Sequence, residues 1–558
     1  MTSDVATIDT SPAAPRWTIP SFRRNPGRYP LGTEAVNQNL LAQELASGLP
    51  VLSRHPRYWS FYTFVIKQFW DQNRQPQNNS ALGRFLRPRE VAFASAALRC
   101  TQHGDVEFPN ILGRNTFVPW FLANPFADIP LDMKYLEQSL GGYGQVYRGA
   151  LQDLGLVLGA ENNREAPLDA PFAEWGAAVA EAFGAAIAGT TYAKRYLTQD
   201  SGTIPFEVVR ELGEASCFCR LTASVAERDL LTDILLGRLQ RPHHTHTNRA
   251  ATVRMFLDLA AATASTGLGD DGFRQVLYYG RTKAGAAWQP SPVVTPIWRR
   301  WWLIQHREFV VAALNTLFIH FVRWGIDSGG MLRPVGLDRY RTRIEQMRLP
   351  DLVGLPQGPA AAVPLAEVVD ALDVLVRRDG WPLGPGAVAD PVSEVELLRQ
   401  AEQGRAEGAP LVAMLAMLLA HRRVAFRREA GDLSAIDEQM LASGGFERVA
   451  SRELGSWVER SLEAGHSLAE ATLTFVRALV IRQHLRIARG KLPEDTFRFH
   501  EELGGYQFVN HQDHGIQPIS IRYDSVSTAL HGLGLIAAPL SAPEHGPTPR
   551  GQEVLNGR

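Results

Sequence analysis

The sequence predicts a mainly α protein, built as multi-domain helical bundles that carry two small α/β units. Three observations lead to this class. Apolar residues recur at helical spacing over most of the 558 residues, and β-like stretches are few and short. The third is a seven-residue phrase that occurs twice, each time where a helix gives way to a short strand.

Composition bounds the rest. A chain of this length has room for roughly three to four domains with real hydrophobic cores. Its hydrophobic share of 45% and charged share of 21% are those of an ordinary soluble protein. Formal net charge is −1, so any nucleic-acid site must be a local patch. Cys100, Cys217 and Cys219 are too few for a disulfide framework, and their odd number fits a reducing, cytoplasmic setting. No basic segment followed by an apolar core opens the chain, so no signal peptide is expected. The apolar stretches Val310–Val322 and Leu411–Ala420 fall short of the ~20 residues that span a bilayer, and are expected to be buried helices with no membrane role.

In chain order, 1–30 is rich in Ser, Pro, Ala and Arg and is expected to be a flexible tail. An N-terminal helical domain follows over 31–200. It holds two helices within Leu31–Trp70, a helix that Pro88 would open and Glu90–Leu98 continue, a β-like stretch Asp105–Phe121, and helices Leu131–Leu140 and Tyr143–Leu154. A central bundle over 201–348 carries Pro205–Leu212, Ala226–Leu239, Arg249–Ala264, Gly272–Tyr279, Pro296–Trp324 and Leu337–Met347. Four prolines and two glycines make 349–364 the expected linker. A second bundle over 365–490 includes Leu411–Arg428 and Ser467–Arg489, and a C-terminal α/β unit over 491–558 opens with a hairpin around Gly504-Gly505.

The repeated phrase is Leu151-Gln152-Asp153-Leu154-Gly155-Leu156-Val157 and Leu530-His531-Gly532-Leu533-Gly534-Leu535-Ile536. Each copy reads as a helix end, a glycine stop and a strand. A polar wing follows, and then a helix opened by Gly176 to Val179 or Gly551 to Val554. This order resembles the winged-helix superfamily over about 131–190 and 495–558, whose members bind DNA or other proteins. The chain as a whole, through Arg54-His55-Pro56-Arg57-Tyr58-Trp59-Ser60-Phe61-Tyr62, the Trp298–Trp302 helix and His484-Leu485-Arg486 leading to Phe497-Arg498-Phe499, resembles an uncharacterised family of bacterial proteins from antiviral defence-type gene sets. That resemblance implies no catalytic residue.

Several segments invite chemistry. Gly141-Gly142-Tyr143-Gly144 resembles a kinase glycine loop, but the lysine strand and catalytic motifs that should accompany it are missing, so a glycine turn before a helix is expected. His243, His244 and His246 with Cys217 and Cys219 could form a Cys/His zinc site; Cys-x-Cys spacing argues against it, and no metal or cofactor is expected. His511-Gln512-Asp513-His514-Gly515 has no partner cluster. Trp298, Trp301 and Trp302 form one apolar stripe and favour core packing over base stacking. Arg54 and Arg57, at a helix start, could grip phosphates or serve a capped core helix. Arg482, Arg486 and Arg489 fall at i, i+4 and i+7, a cationic stripe suited to a DNA backbone, with a solvated helix face as the simpler explanation. His421 to Arg428 is a second basic run, at a helix end.

The leading expectation is a non-enzymatic adaptor or architectural protein that docks protein partners, or further copies of itself, through its two units. The alternative is duplex DNA binding through the arginine stripe, and a third is an enzyme with an unrecognised site. Base reading by the units themselves is disfavoured, because Ser525–Leu533 has no Lys or Arg and Tyr143–Leu154 has only Arg148.

Overall fold

The longest apolar run folds as one 33-residue helix, Thr295–Asp327, in a computed structural model of the protein. The structure describes residues 30–52, 54–101, 111–163, 165, 167–240, 243–352, 354–379, 392–403, 408–442, 451–493, 495–509 and 520–557. It is 62% helix and 5% strand, so the mainly α class holds, and its strands form only short two-stranded sheets. The expected N-terminal tail and the His511–Gly515 cluster lie outside the described residues.

Trp298, Trp301 and Trp302 are all buried on the central helix, as their spacing predicts. Each indole N–H finds an acceptor: Leu277 O at 3.0 Å, Thr252 Oγ1 at 3.0 Å and Tyr278 O at 3.1 Å. The next turn, Gln305 to Glu308, is polar and equally buried. Asn37 satisfies part of it, accepting from Arg307 Nε at 2.9 Å and donating to Glu308. A second apolar helix, Ala409–Glu429, packs along the first. Both helices run past the apolar stretches seen in the sequence and are long enough to cross a membrane. Their apolar windows are 72% and 83% buried, which makes them core helices.

The two copies of the repeated phrase fold alike, bond for bond. Gly155 and Gly534 take left-handed φ values of 70° and 66°, which a glycine adopts at little cost. Beyond each, a leucine N–H reaches back to the helix: Leu156 to Leu151 O at 2.8 Å, Leu535 to Leu530 O at 2.9 Å. The same leucine carbonyls then accept from the far side of the wing, from Phe172 at 2.9 Å and Thr548 at 3.0 Å. Val157 faces Pro171 in one unit, and Ile536 faces Pro547 in the other. The closing helices approach so closely that a Cβ on Gly176 would lie 2.4 Å from Leu156 O, and one on Gly551 would lie 1.9 Å from Leu535 O. The Gly-x-x-Val signature is therefore a close-approach requirement.

Arg249 joins the first unit to its surroundings. Its guanidinium is fully buried and donates only to carbonyls: Leu235 at 2.8 Å, Ile234 at 2.9 Å, Ser47 at 3.3 Å and Asp153 at 3.4 Å. Two helical segments, Arg148–Asp153 and Val225–Leu235, end at those carbonyls, and Ser47 lies in the turn just past a third, Leu40–Leu45. Helix C-termini carry partial negative charge, so three of them can hold one cation without a carboxylate bonded to it. Burial still draws this guanidinium down to about 10.

Four sequence expectations are corrected. Arg114–Ala123, in the stretch expected to be β-like, is a helix, with the described part of that stretch starting at Ile111. Leu131–Leu140 is irregular: Leu131 N bonds to Gly202 O at 2.9 Å and Arg87 donates to Leu136 O, so tertiary bonds override local helix preference. Pro88 lies inside the helix Asn79–Arg99 instead of opening one. The described residues of the proline-rich 349–364 are packed rather than free, with Leu349, Leu352, Leu355 and Val363 buried and the following Leu365 N bonded to His466 O at 3.0 Å.

Replacing Arg249 by Met should lower stability by about 3 kcal/mol or more, because several buried carbonyls lose their donors at once. Gly551→Ala should cost about 1–3 kcal/mol through forced backbone displacement. Gly149→Ala, inside a helix where a Cβ meets nothing within 4 Å, should instead stabilise by about 0.5–1 kcal/mol. Denaturant melts of the three variants check all three signs.

Candidate functional site

The arginine stripe is present, and it is longer than the sequence suggested. Arg482, Arg486 and Arg489 lie on the helix Arg482–Gly490, where Arg482 and Arg489 are exposed and Arg486 is half-buried and bonded to Gln483. The preceding turn, Val476–Ile481, is a π-helix, and Arg482 N–H donates to Arg477 O, five residues back. That extra residue per turn brings Arg477 round to the side of Arg482, whereas regular helical spacing would turn it away. Burial and Glu501 raise the Tyr506 hydroxyl, and both guanidiniums are near enough to oppose them.

A second set of arginines adjoins them. The helix Leu337–Gln346 buries Tyr340 and Ile344 and exposes Arg339, Arg341 and Arg343. It packs against Leu468–Phe475, the helix that leads into the π turn. Arg343 and Arg323, from the end of the central helix, both face His320, and the N-terminal flank of the arginine helix is tied to the hairpin Phe499–Phe508 by Val335 N to Tyr506 O at 2.9 Å. Among the described residues none of Arg323, Arg339, Arg341, Arg343, Arg477, Arg482 and Arg489 forms an ion pair. Ion pairs engage many of the other described arginines, among them Arg54, Arg299, Arg422 and Arg428. Acidic groups are not absent from this side: Asp338, Glu501 and Glu502 are exposed there.

The remaining sequence candidates are spent on structure. Arg57 is 1% exposed and cannot reach a phosphate; it donates to Cys217 O at 2.8 Å and Glu227 at 3.2 Å, while Ser60 donates to the other Glu227 oxygen. Arg54 faces Asp524 at 3.4 Å. In the run from His421 to Arg428, Arg422 pairs with Asp373, Arg423 with Glu394 and Asp379, Arg427 with Asp432 and Arg428 with Glu438. A run of like charge in sequence is here a set of internal pairs. The glycine turn Gly141–Gly144 has its amides already filled: Glu90 accepts from Gly142 N at 3.1 Å and Tyr143 N at 2.9 Å, so a carboxylate of the chain sits where a phosphate loop would hold its ligand. Burial holds the Glu90 carboxyl up at about 7.

The candidate Cys/His combination, which the spacing disfavours, is not brought together among the described residues. His243 and His244 lie at the surface with their rings tilted and 4.2 Å apart, and Glu44 stands 3.4 Å from His244. Cys217 and Cys219 join Cys100 instead. Nothing in the sequence linked Cys100 to them, since more than a hundred residues separate it from either.

One cavity of ligand size, about 530 Å³, opens between His306, His421, Arg428, Glu438, Ser456 and Glu459. Burial pushes His306 down to about 3 and His421 down to about 4, so both imidazoles are neutral at neutral pH, and the bidentate Arg428–Glu438 pair at 2.7 and 2.9 Å cancels its own charge. The chain matches no known family model, curated protein or solved structure.

The buried histidines set an acid limit. His306, His320, His421 and His484 protonate at 6.5 when unfolded but only at about 3 to about 4 when folded, so acid drives protons onto the unfolded chain. Glu90 acts oppositely, binding its proton at about 7 when folded and 4.5 when unfolded. Four groups oppose one, so stability should fall from pH 6.5 to 4.5 with a net uptake of about three protons on unfolding. The slope of denaturant-derived stability against pH measures this, and His306→Gln/His421→Gln should reduce it by about two protons. A flat profile would contradict the assignment.

Proposed function

We propose that this protein binds duplex nucleic acid through the arginine band of Arg477, Arg482, Arg489, Arg339 and Arg343. The observation that carries this reading is the π turn, which aligns Arg477 with the stripe, whose guanidiniums form no ion pair among the described residues. An arginine with no internal partner keeps its donors for an external oxyanion, and guanidinium geometry suits phosphate. The band has no base-reading element beside it. The helices that would read bases in a winged-helix unit, Arg148–Asp153 and Tyr523–Gly532, are packed into the chain, with Leu151, Leu530 and Val526 fully buried. Binding is therefore to the backbone, sequence-independent and salt-sensitive.

A second reading, docking of a protein partner, draws on exposed apolar groups at the same end. Leu332 is 91% and Leu503 100% exposed, the first on the loop after the central helix and the second at the turn of the hairpin Phe499–Phe508, whose Phe508 N bonds to Gly330 O of that loop at 2.8 Å. Exposed leucines beside cations suit a partner helix with an acidic rim.

Mobility shifts on duplex DNA at low salt distinguish the two. The DNA reading expects a shift that weakens with salt. Its log–log slope should shrink by about 0.9 for each phosphate that Arg477→Glu, Arg482→Glu or Arg489→Glu leaves unneutralised. Absence of binding at low salt would overturn it and leave the docking reading.

A further inference from the structure

The three cysteines of the chain, Cys100, Cys217 and Cys219, meet at one point although they come from segments far apart in sequence. Cys100 caps the helix Asn79–Arg99, and Cys217 sits between the helix Phe206–Ser216 and the short 3-10 helix Phe218–Ala223 that carries Cys219. The two longer helices touch through Gly213, where a Cβ would stand 2.4 Å from Ala96 O and 3.3 Å from Cys100 N. This close approach brings the thiols together. All three sulfurs lie within 4.8 Å of one another, and the Cys100 and Cys219 sulfurs are 3.5 Å apart.

We propose that this cluster is a three-thiolate site for a divalent thiophilic cation of the zinc group. Three sulfurs bound to one such ion at ~2.3 Å stand about 3.8–4.0 Å from each other, a spacing these side chains reach with small rotations. An all-sulfur donor set selects soft ions and excludes calcium and magnesium. Cys100 and Cys217 are buried while Cys219 is exposed, so the fourth coordination position faces solvent and serves as the entry path. Binding breaks three S–H bonds, forms three metal–sulfur bonds and releases three protons; no electron is transferred. Arg220, tied to Glu214, follows Cys219 directly in the chain, while a hydrogen bond to Cys219 and burial push the Cys217 thiol up, so the metal must displace its proton.

The test uses the reduced full-length protein titrated with cadmium(II), whose thiolate charge-transfer absorption in the ultraviolet is not produced by histidine ligation. The expected result is a band that saturates at one equivalent, release of about three protons and a higher Tm. Cys219→Ser, at the exposed position where folding is least at risk, should weaken binding by more than about tenfold. A band not saturating at one equivalent, or one of equal strength in Cys100→Ser/Cys219→Ser, overturns the proposal. So does reduced protein that takes up no cadmium while a mild oxidant joins Cys100 to Cys219 with loss of two hydrogens, which would make the cluster a thiol pair.

Discussion

One buried guanidinium stands where three helices end. Arg249 donates to carbonyls closing Arg148–Asp153 and Val225–Leu235 and to Ser47 O in the turn that follows Leu40–Leu45, and bonds to no carboxylate. Each of those ends would otherwise bury unsatisfied carbonyls and a fraction of negative charge. Converging on one cation, they satisfy the guanidinium and one another. The arrangement ties together segments about two hundred residues apart, from Ser47 to Arg249, and it holds the first repeated unit against the loop that the second also uses. Arg522 donates to Leu49 O at 2.8 Å and Ser525 to Val51 O at 3.0 Å from that second unit.

The consequence for function is one of available surface. Both repeated units turn their helices inward, and their polar groups are engaged by the chain: Arg148 by Asp169 and Glu161, Arg550 by Asp229 and Thr232. The arginine band at the far end of the central helix, beside the hairpin Phe499–Phe508, is by contrast exposed, and its guanidiniums form no ion pair among the described residues.

Much of the helical framework was legible from periodicity alone. Helices from Phe206–Ser216 to Arg482–Gly490 fall where apolar spacing places them, because burial of a continuous stripe requires that spacing. Legibility failed where a distant group competes with local preference. Leu131–Leu140 has helical spacing but is held open by Gly202 and Arg87. Arg57 has the setting of a phosphate-binding residue, yet Glu227, 170 residues on, claims it inside the core. The candidate stripe was visible through Arg482, Arg486 and Arg489, and Arg477 was missed because a π turn leaves no signature in spacing read at 3.6 residues per turn.

By itself the sequence determined the mainly α class, the duplicated helix–glycine–strand turn and its close-packing glycines. Those are local matters: a left-handed residue, a reach-back hydrogen bond and a helix that must nearly touch a carbonyl are encoded within a few dozen residues. Tertiary structure alone decided which charges were left over. Whether an arginine is a core bond, a surface pair or an open cation depends on carboxylates and carbonyls brought from far along the chain, as does the meeting of Cys100 with Cys217 and Cys219. Spacing in sequence carries no distance across such separations, so the sites had to wait for the fold.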